Sequence, residues 1–566
     1  MVEYSVIFDE CNGGCGLVLD LGKRRLGLAN KRAEKSVDEF VLAKACREII
    51  PVIIGAGCGE VLEFLDRRYS GPVAVVDKEE SILAASNVRD RAYLNLEIEW
   101  IADHDFDSVL KRLTAWQIRH GGSLFYPLQH TSYMALERDF YLAIYHRLKE
   151  SNRSNFWESA RYPKFRGQPR PLILKFDYML ERELQSAMEI AGIEHDVLHV
   201  PAMAERGQGL VAPLLAKIMS FKPDFLLTVN FLGGDFGGEL SSILSGIGLP
   251  VATWFMDNPE NFFHGRRLPD PGNLVVFCCD PGHSELLARY GLIGSHNLPL
   301  AADSARFDLD SEVTGLGGRY GVSFIGSSFN DKIRAALRDL SLDENRLEQA
   351  RGVASRFLVR GGESAADFIA GEEPGIRDFF ESLDHEDKRR YLILVHFMAN
   401  REYRLSCLSG IMDFEPVIVG DDELMRDLES FGRRITARAR IPYYSELLPR
   451  FYAGSRLNFA CSNVQMRQSV TQRVFDAPAA GAPVVSDDRP QLGALFDVGT
   501  EAVAYSSPDE VGDIVARCLA AEPAMLKVVN AARRRIRAEH TYVHRAREIC
   551  RVMSDYFGAG RAAKRL

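Results

Sequence analysis

The sequence predicts a globular protein of several α/β domains built around parallel sheets, and three observations support this prediction. Short apolar runs of strand length alternate with helical patterns along most of the 566 residues, as they do where crossover helices join parallel strands. Hydrophobic residues make up 46% of the chain and charged residues 26%, which is typical of globular proteins. At roughly 100–200 residues per domain, the length predicts three or four domains.

Composition excludes several classes of protein. The net charge is −9 and the pI is about 5.9, whereas a nucleic-acid-binding protein usually has a strong basic excess. The first ten residues, MVEYSVIFDE, carry acids where a secretory signal has a basic run and an apolar core. No stretch approaches the roughly 20 apolar residues of a membrane span. The ten scattered cysteines favour reduced thiols and a cytoplasmic location.

Residues 1–150 form the first predicted domain. A helix over 37–49 leads to a strand over 51–54, then to a glycine-rich turn, a further helix, and a strand over 73–76 that ends in an acid. This is the order of a Rossmann-type nucleotide site, in which the acid binds ribose about 20 residues after the glycines. The nucleotide-binding candidates are Gly55, Gly57, Gly59 and Asp77. A methyltransferase would usually have an acid just before the glycines, where Ile53 and Ile54 stand.

Residues 151–170 are polar, with weak periodicity, and are predicted to be a linker. A second αβ domain follows over 171–303. Its predicted strands cover 172–174, 195–200, 225–229, 250–255 and 274–277, and its predicted helices cover 180–191, 210–220, 239–247 and 284–290. The strand over 225–229 ends in Asn230 and a glycine-rich loop. In α/β sheets such strand ends face the ligand crevice.

A third domain is predicted over 304–540, with a helical insert at 331–410 and a final helix over 541–566. Its predicted strands cover 322–325, 416–419, 457–460 and 483–485, and its predicted helices cover 445–452, 470–480, 508–520 and 523–539. In the insert, apolar residues recur three and four apart. The sequence shows no repeats with a period of 20–50 residues.

The strongest functional signal lies between residues 441 and 511. A nucleotide-diphosphate sugar needs a helix N-terminus or basic groups at its phosphates and a carboxylate at its ribose. Ser469 and Thr471 can cap a helix beginning near residue 470, and Arg467 and Arg473 bring positive charge to the same end. Asp476 lies on that helix, among small residues that allow close packing on the sheet.

This segment resembles a known family. The sequence RVFDAPAAGAPVVS over 473–486, followed by Leu495-Phe496 and Gly499-Thr-Glu501, is similar to the C-terminal domain of CgeB-type spore-maturation glycosyltransferases, which are related to family-4 retaining glycosyltransferases. The resemblance implies a GT-B architecture of two facing Rossmann-like domains. It places ribose binding on Asp476 and makes Glu501 a second candidate, while Gln468 stands where that family usually has its first acid.

The resemblance extends upstream. Gly326 and Ser327 match the first loop of the donor domain, and VATWFMDNP over 251–259 resembles the acceptor half. Asp257 closes this strand and is the preferred catalytic carboxylate, because such strand ends face the cleft. Arg473, at the phosphates, is the second catalytic candidate. The candidates on the acceptor side of the cleft are Asn230, Gly233, Gly234 and Asp235.

The N-terminal domain resembles, over about 40 residues, the Rossmann-like part of Maf-type flagellin glycosylation proteins. Together the two resemblances imply a bacterial, metal-independent and retaining glycosyltransferase, with a nucleotide-sugar as donor and flagellin or a surface glycan as acceptor. No other cofactor is expected. Three alternatives stay open: a bifunctional enzyme whose N-terminal domain is an S-adenosylmethionine-dependent methyltransferase, a non-catalytic GT-B-like scaffold, and a GT-B-fold sugar epimerase.

Overall fold

A computed structural model describes residues 4–9, 16–152, 156–200, 210–234, 239–264, 273–361, 364–432, 435–438 and 440–558. The chain divides into two compact units. The first unit comprises Met1–Tyr162 and Glu239–Gly248, and the second comprises Pro163–Gly238 and Leu249–Leu566. The first boundary falls within the predicted linker, where residues 156–160 form a short helix.

The first unit contains a parallel sheet of the predicted type and a small antiparallel sheet that the sequence did not suggest. Its strands are β1 (Ser5–Phe8), β2 (Leu17–Asp20), β3 (Arg25–Gly27), β4 (Ile49–Ile54), β5 (Gly71–Val76), β6 (Leu96–Ile101) and β7 (Leu124–Gln129). Its helices are α1 (Ala33–Lys44), α2 (Glu60–Arg68), α3 (Glu80–Ser86), α4 (Phe106–Arg119), α5 (Thr131–Leu136), α6 (Ala143–Ser151) and α7 (Phe156–Ala160). The parallel sheet has the order β6-β5-β4-β7, and β1-β2-β3 is antiparallel. The strand order therefore reverses between β4 and β7.

Helix α1 ends five residues before the predicted end at Ile49. Ile49 and Ile50 instead begin β4, where they pair with Leu124 and Phe125 and are buried. An apolar run buried on both faces is typical of a parallel strand, and this burial decides between helix and strand here.

The second unit contains two six-stranded parallel sheets. The first, named here the β8 sheet, contains β8 (Pro171–Lys175), β9 (Asp196–His199), β10 (Phe225–Val229), β11 (Val251–Phe255), β12 (Leu274–Cys278) and β13 (His296–Asn297). The helices along this stretch of chain are α8 (Glu181–Ala191), α9 (Val211–Phe221), α10 (Glu239–Gly246), α11 (Glu260–Phe263) and α12 (Ser284–Arg289). Of these, α10 belongs to the first unit. The strand order is β13-β12-β11-β10-β8-β9, so it reverses between β8 and β10.

The second sheet, named the β14 sheet, contains β14 (Tyr320–Ile325), β15 (Val417–Val419), β16 (Thr436–Arg438), β17 (Ser455–Phe459), β18 (Val484–Asp487) and β19 (Val503–Tyr505). Its order is β16-β15-β14-β17-β18-β19, the Rossmann order, with a reversal between β14 and β17. The helices after the insert are α18 (Asp422–Glu429), α19 (Leu447–Ala453), α20 (Arg473–Ala479), α21 (Pro490–Leu495), α22 (Val511–Ala520), α23 (Glu522–Glu539) and α24 (Tyr542–Phe557).

A helical insert joins β14 to β15, where a Rossmann sheet usually has a single crossover helix. It contains α13 (Asn330–Asp339), α14 (Glu344–Arg360), α15 (Ala365–Ala370), α16 (Pro374–Ser382) and α17 (His385–Ser409). These helices share an apolar core that includes Val353, Phe357, Phe380 and Tyr391. The long crossover therefore has enough buried apolar surface to fold as a subdomain.

Helix α24 returns to the β8 sheet. Tyr542, Ile549 and Met553 are buried in one core with Leu184 and Met188 of α8. This helix thus fastens the domain of the β14 sheet to that of the β8 sheet. In the part of the chain that the structure describes, no helix is long and apolar enough to cross a membrane.

The expectation of reduced thiols holds for most described cysteines but not for all. Seven are free, and six of these are buried. Cys58 is disulfide-bonded, although no feature of the sequence indicated a pairing. Cys11 and Cys15 lie outside the described residues.

Candidate functional site

A cavity of about 700 Å³ in the second unit lies where both of its sheets reverse their strand order. Its lining comes from the loops after β8, β11, β14 and β17 and from α20. In parallel sheets these reversals leave a crevice at the carboxyl ends of the strands, which is the usual ligand site. The volume is within the range of roughly 300–1,000 Å³ that small-molecule sites occupy.

A carboxylate held by two neighbours lies on the β8-sheet side of the cavity. Asp257 follows β11 and lines the cavity. Its Oδ2 accepts hydrogen bonds from Tyr178 Oη at 2.9 Å and from Asn230 Nδ2 at 2.8 Å. Asn230 is itself fixed because its Oδ1 accepts a bond from the Met256 N–H at 2.8 Å. The structure therefore brings two predicted residues, Asp257 and Asn230, together.

Backbone strain is concentrated around this carboxylate. Asn230 and Phe231 have φ of +50° and +58°, and Asp177 and Leu180, on either side of Tyr178, have φ of +59° and +72°. Positive φ is uncommon outside glycine, and strained backbone of this kind is typically found at functional sites. Two loops thus accept unfavourable conformations next to Asp257.

Two arginines lie on the β14-sheet side of the cavity and are called the arginine pair. Arg404, on α17, is 5% exposed and donates to the Ser327 carbonyl at 2.7 Å and to Asn463 Oδ1 at 3.3 Å. Arg473, at the start of α20, donates to Thr471 Oγ1 at 3.1 Å. Both line the cavity, their hydrogen bonds among the described residues go to neutral oxygens, and the Nε atom of each is buried without a hydrogen-bond partner there. Arg404 is a buried charge whose hydrogen bonds go to neutral oxygens, and burying a charge without an opposite charge is costly. The pair is therefore a candidate site for an anion.

The positive field of the arginine pair also acts on a thiol in the cavity wall. The pKa of Cys461 is lowered. A hydrogen bond with Cys407 is the main cause, and the charges of Arg404 and Arg473 add to it against the opposing effects of burial and of the Asp487 charge. Burial and the nearby charge of Arg473 lower the pKa of Arg404. Both guanidinium groups also lie against the same ring, with Arg404 Cζ 5.7 Å and Arg473 Cζ 5.5 Å from the Phe324 centroid.

Asp476 lines the same cavity from α20 and is 1% exposed. Its Oδ1 accepts a bond from Gln472 Nε2 at 2.8 Å and its Oδ2 one from Tyr443 Oη at 3.3 Å. Burial raises its pKa to about 7, and the Gln472 hydrogen bond and the charge of Arg306 only partly offset this. Near neutral pH this carboxyl group is therefore close to half ionised.

The raised pKa predicts a stability effect of the Asp476→Asn substitution that depends on pH. The protonated carboxyl is favoured in the fold, so its contribution to stability is complete below the unfolded pKa and is lost as the pH rises through about 7. We expect Asp476→Asn to gain up to about 4 kcal/mol relative to the wild type between pH 4 and pH 8, because each tenfold change in a proton-binding constant corresponds to about 1.36 kcal/mol. Urea unfolding at both pH values measures this difference, and a difference that is the same at both would contradict it.

The loop before α20 differs from the prediction. We expected Ser469 or Thr471 to cap a helix from residue 470, but α20 begins at Arg473 with Gln472 as its N-cap and no side-chain cap. The N–H groups of Gln468 and Ser469 donate to Asp280 Oδ2 at 3.1 and 3.2 Å. These donors are therefore engaged by a carboxylate of the β8-sheet domain, and the loop cannot continue the helix.

The other predicted donor residues have different positions. Gly326 and Ser327 line the cavity, and a Cβ on Gly326 would lie 2.7 Å from the Phe324 ring. Arg467 and Gln468 are not part of the cavity lining. Arg467 packs over the Phe357 ring of the insert and donates to the Phe357 carbonyl at 3.2 Å.

Glu501 also lies outside the cavity lining. Its Oε2 accepts a bond from the Asp497 N–H at 2.9 Å, and it pairs with Arg535 at 3.2 Å. The hydrogen bond within this turn and the ion pair with Arg535 thus explain the position of Glu501. On the acceptor side, Gly233 and Gly234 are crowded by the rings of Phe176 and Phe231 and do not line the cavity. Asp235 lies outside the described residues.

The glycine-rich turn of the first unit is packed against the unit's own aromatic residues. A Cβ on Gly55 would lie 2.4 Å from the Tyr133 ring, and one on Gly57 would lie 2.5 Å from the His130 ring. The N–H of Gly57 donates to Tyr133 Oη at 3.3 Å. Asp77, which is 0% exposed, accepts bonds from the Ala56 N–H at 2.8 Å and from Tyr133 Oη at 2.7 Å. Protein groups therefore occupy the positions where phosphate and ribose would bind.

We expect Gly55→Ala to destabilise the first unit because the new methyl group meets a ring. The clash and the φ of +84° together should cost about 2–4 kcal/mol of unfolding free energy. Gly121→Ala is the matched control, since Gly121 has a φ of +74° with nothing within 4 Å of its Cβ position. Equal losses in the two variants would show that Tyr133 does not fill the turn. The same packing predicts that S-adenosylmethionine leaves the melting temperature unchanged.

Sequence reasoning missed Arg404, Asp280 and Tyr178. Arg404 comes from the insert, nearly 70 residues before Arg473, and nothing in its local pattern separates it from other arginines of α17. Asp280 comes two residues after the end of β12, and that position near a strand end was a usable signal. Tyr178 follows β8, at the strand reversal, so the order of strands would have singled it out.

The segment over residues 401–551 matches the profile of a family described as glycosyl transferase-like. It contains Arg404, Arg473 and Asp476, and it covers most of the β14 sheet. No curated protein sequence matches the chain.

Similar solved structures include sucrose-phosphate synthase from Thermosynechococcus elongatus, at 10% identity and a TM-score of 0.42, covering 69% of this chain and 100% of that one. A glycosyltransferase from Rickettsia africae has 10% identity and a TM-score of 0.43, covering 70% and 99%. HepE from Anabaena in complex with UDP-glucose has 11% identity and a TM-score of 0.40, covering 68% and 100%. The two Rossmann-like sheets of the second unit, with the cavity between their carboxyl ends, form a GT-B architecture that carries a glycosyl transferase-like segment.

Proposed function

We propose that the second unit is a glycosyltransferase that moves a sugar from a nucleotide-sugar to a protein or surface-glycan acceptor, with flagellin as the kind of protein acceptor. The arginine pair carries the proposal. Two guanidinium groups whose hydrogen bonds among the described residues go to neutral oxygens line a cavity of about 700 Å³. A diphosphate supplies the missing negative charge, and guanidinium groups bind phosphate oxygens strongly and often in pairs.

Each remaining part of the donor has a group of the right chemistry nearby. Asp476 can accept hydrogen bonds from ribose hydroxyls in the same cavity. Gly326 and Ser327 bring backbone close to Arg404, whose guanidinium donates to the Ser327 carbonyl. Asp257 faces the cavity from the opposite sheet, where an acceptor would enter. The glycosyl transferase-like segment, which contains both arginines and Asp476, agrees with this assignment.

The proposed reaction needs little covalent chemistry from the protein. The bond from the anomeric carbon to the diphosphate oxygen breaks and its electron pair stays with the diphosphate, whose charge the arginine pair stabilises. The acceptor oxygen bonds to the anomeric carbon, and the acceptor proton goes to the diphosphate oxygen. We infer retention of configuration from the resemblance to family-4 enzymes. Metal independence is proposed because the arginine pair supplies the positive charge, and the described residues include no group of three or more metal-ligating side chains.

Donor hydrolysis tests the proposal directly. The purified chain is incubated with UDP-, GDP-, dTDP- and CMP-sugars without metal, beside Asp476→Ala. We expect one donor to release its nucleotide diphosphate slowly and the variant to lose this activity. Binding without turnover would favour a scaffold, and a changed sugar on an intact donor would indicate an epimerase. The donor site is refuted if no nucleotide binds.

A further inference from the structure

We propose that Tyr178 and Asn230 are positioning residues that aim Asp257 at the acceptor, and that the acceptor presents two hydroxyl groups to the cavity. The inference rests on the proposed glycosyl transfer. It starts from the unequal surroundings of the two Asp257 oxygens. Oδ2 accepts both hydrogen bonds, from Tyr178 Oη and Asn230 Nδ2.

Oδ2 is thus held from two sides, whereas Oδ1 accepts no hydrogen bond from the described residues, in a side chain that lines the cavity. One of the two supporting groups, Asn230, is itself well anchored. Asn230 is 1% exposed, and its Oδ1 is engaged by the N–H groups of Met256 at 2.8 Å and of Asp257 at 3.3 Å. The Asp257 charge, together with burial, raises the pKa of Tyr178 far above its usual value. Tyr178 therefore stays a hydrogen-bond donor throughout the working pH range.

The strand order explains why these two residues meet. Tyr178 follows β8 and Asn230 ends β10, the two strands between which the β8 sheet reverses. Both loops adopt positive φ on non-glycine residues, at a cost of roughly 1–3 kcal/mol each. These two loops place Tyr178 and Asn230 on the same carboxylate oxygen.

The chemistry of transfer then limits the acceptor. The reacting hydroxyl gives its single proton to the leaving diphosphate, so it cannot also donate to Asp257. A neighbouring hydroxyl of a sugar acceptor can donate to Oδ1 in place of water. In donor hydrolysis, the second hydrogen of the attacking water has the same role. The structure thus favours a sugar hydroxyl with a hydroxyl neighbour over an isolated serine or threonine side chain.

The test uses hydrolysis of the donor identified by the nucleotide-sugar panel, so that water is the acceptor. We expect Tyr178→Phe to lower the hydrolysis rate constant about tenfold, the worth of one hydrogen bond to a charged group. The donor dissociation constant should stay within about twofold of the wild type, since Tyr178 lies on the β8-sheet side of the cavity and the proposed phosphate contacts are on the β14-sheet side. An unchanged rate, or a weaker donor affinity at an unchanged rate, would overturn the positioning role.

Asn230→Asp provides a second test, a change in the pH dependence of hydrolysis that a purely structural role of Asn230 would not produce. The new carboxylate keeps an acceptor for the Met256 N–H but replaces the donor to Asp257 with a like charge. Two carboxylates at this distance share one proton, so we expect activity to be lost at pH 8 and partly restored near pH 5. A loss of the same size at both pH values would contradict the inference. Failure of the glycosyl transfer proposal itself would appear differently, as absent donor hydrolysis in the wild type.

A sugar acceptor can be separated from an isolated hydroxyl by competition during hydrolysis. Ethylene glycol offers two adjacent hydroxyls and ethanol offers one. At equal concentration, we expect ethylene glycol to capture the sugar at least several-fold more often than ethanol. In Tyr178→Phe, the ratio of capture by ethylene glycol to capture by ethanol should be smaller. Equal capture of the two alcohols by the wild type would exclude the two-hydroxyl acceptor.

Discussion

Arg473→Gln is expected to weaken the binding of a nucleoside diphosphate by about 10- to 100-fold. A hydrogen bond between charged groups contributes roughly 1.5–3 kcal/mol, and about 1.4 kcal/mol corresponds to a tenfold change in affinity. Glutamine keeps much of the length of the side chain and a donor to Thr471 while removing the charge. Because Arg473 makes a single hydrogen bond among the described residues, most of its capacity is left for a ligand. Calorimetric titration with UDP, GDP and dTDP measures the effect.

Arg351→Gln is the control for this prediction. Arg351 is an exposed arginine on α14 that pairs with Glu348 at 3.2 Å, so its replacement should leave the affinity unchanged. Arg404→Lys tests the other member of the arginine pair. Lysine keeps the charge but lacks the forked guanidinium group that reaches Ser327 and Asn463 together. Equal affinities for wild type and Arg473→Gln, in a variant that still melts at the wild-type temperature, would refute the anion site.

Asp280→Ala is expected to lower the free energy of unfolding of the second unit by about 3–5 kcal/mol, because several buried N–H groups lose their acceptor. Asp280 is 0% exposed. It accepts bonds from the N–H groups of Gln468, Ser469 and, at 2.8 Å, Gly282. Alanine would leave these three donors buried without an acceptor, and each such donor costs about 1–3 kcal/mol. Urea unfolding followed by tryptophan fluorescence measures the loss.

The control for Asp280 is Asp310→Ala. Asp310 is 83% exposed and pairs with Arg537 at 3.2 Å, and exposed ion pairs contribute roughly 0–1 kcal/mol. Asp280→Asn makes the test sharper, because an amide oxygen can still accept two of the bonds. Should Asp280→Ala unfold like the wild type, the contact between the β12 end and the Gln468 loop would have no structural weight.

Alternating strands and helices were predictable because parallel strands buried on both faces appear as short, continuous apolar runs. The runs before Gly55, Asp77, Asn230 and Asp257 all became strands. The first and last residues of the helices and strands were harder to predict. Helix α20 begins three residues later than its pattern suggested, since the Ser469 N–H is taken by Asp280, which is nearly 190 residues away in sequence.

Within the site, residues at strand ends were predictable and residues brought in by tertiary packing were not. Asp257 and Asn230 end neighbouring parallel strands, so the fold class alone places them together. Arg404 reaches the cavity only because the insert folds against the β14 sheet. Glu501 is the opposite case. It lies close to Asp476 in sequence, but a turn and the ion pair with Arg535 hold its side chain outside the cavity.

The glycine-rich turn of the first unit shows a further limit. Glycines are required both where a phosphate approaches backbone and where an aromatic ring does. The spacing of Gly55, Gly57 and Gly59 fits either cause. Only the position of Tyr133, almost 80 residues later in sequence, shows that a ring fills the space.

The proposed role of the arginine pair is to hold a diphosphate, and a comparison of ligands that differ only in phosphate tests it most directly. We would titrate the wild type with the nucleoside diphosphate of the active donor and with the corresponding nucleoside, at the same pH and salt concentration. We expect the diphosphate to bind at least about 100-fold more tightly, since two charged contacts depend on it. Equal affinities would contradict this role, because the cavity would then recognise the nucleoside alone.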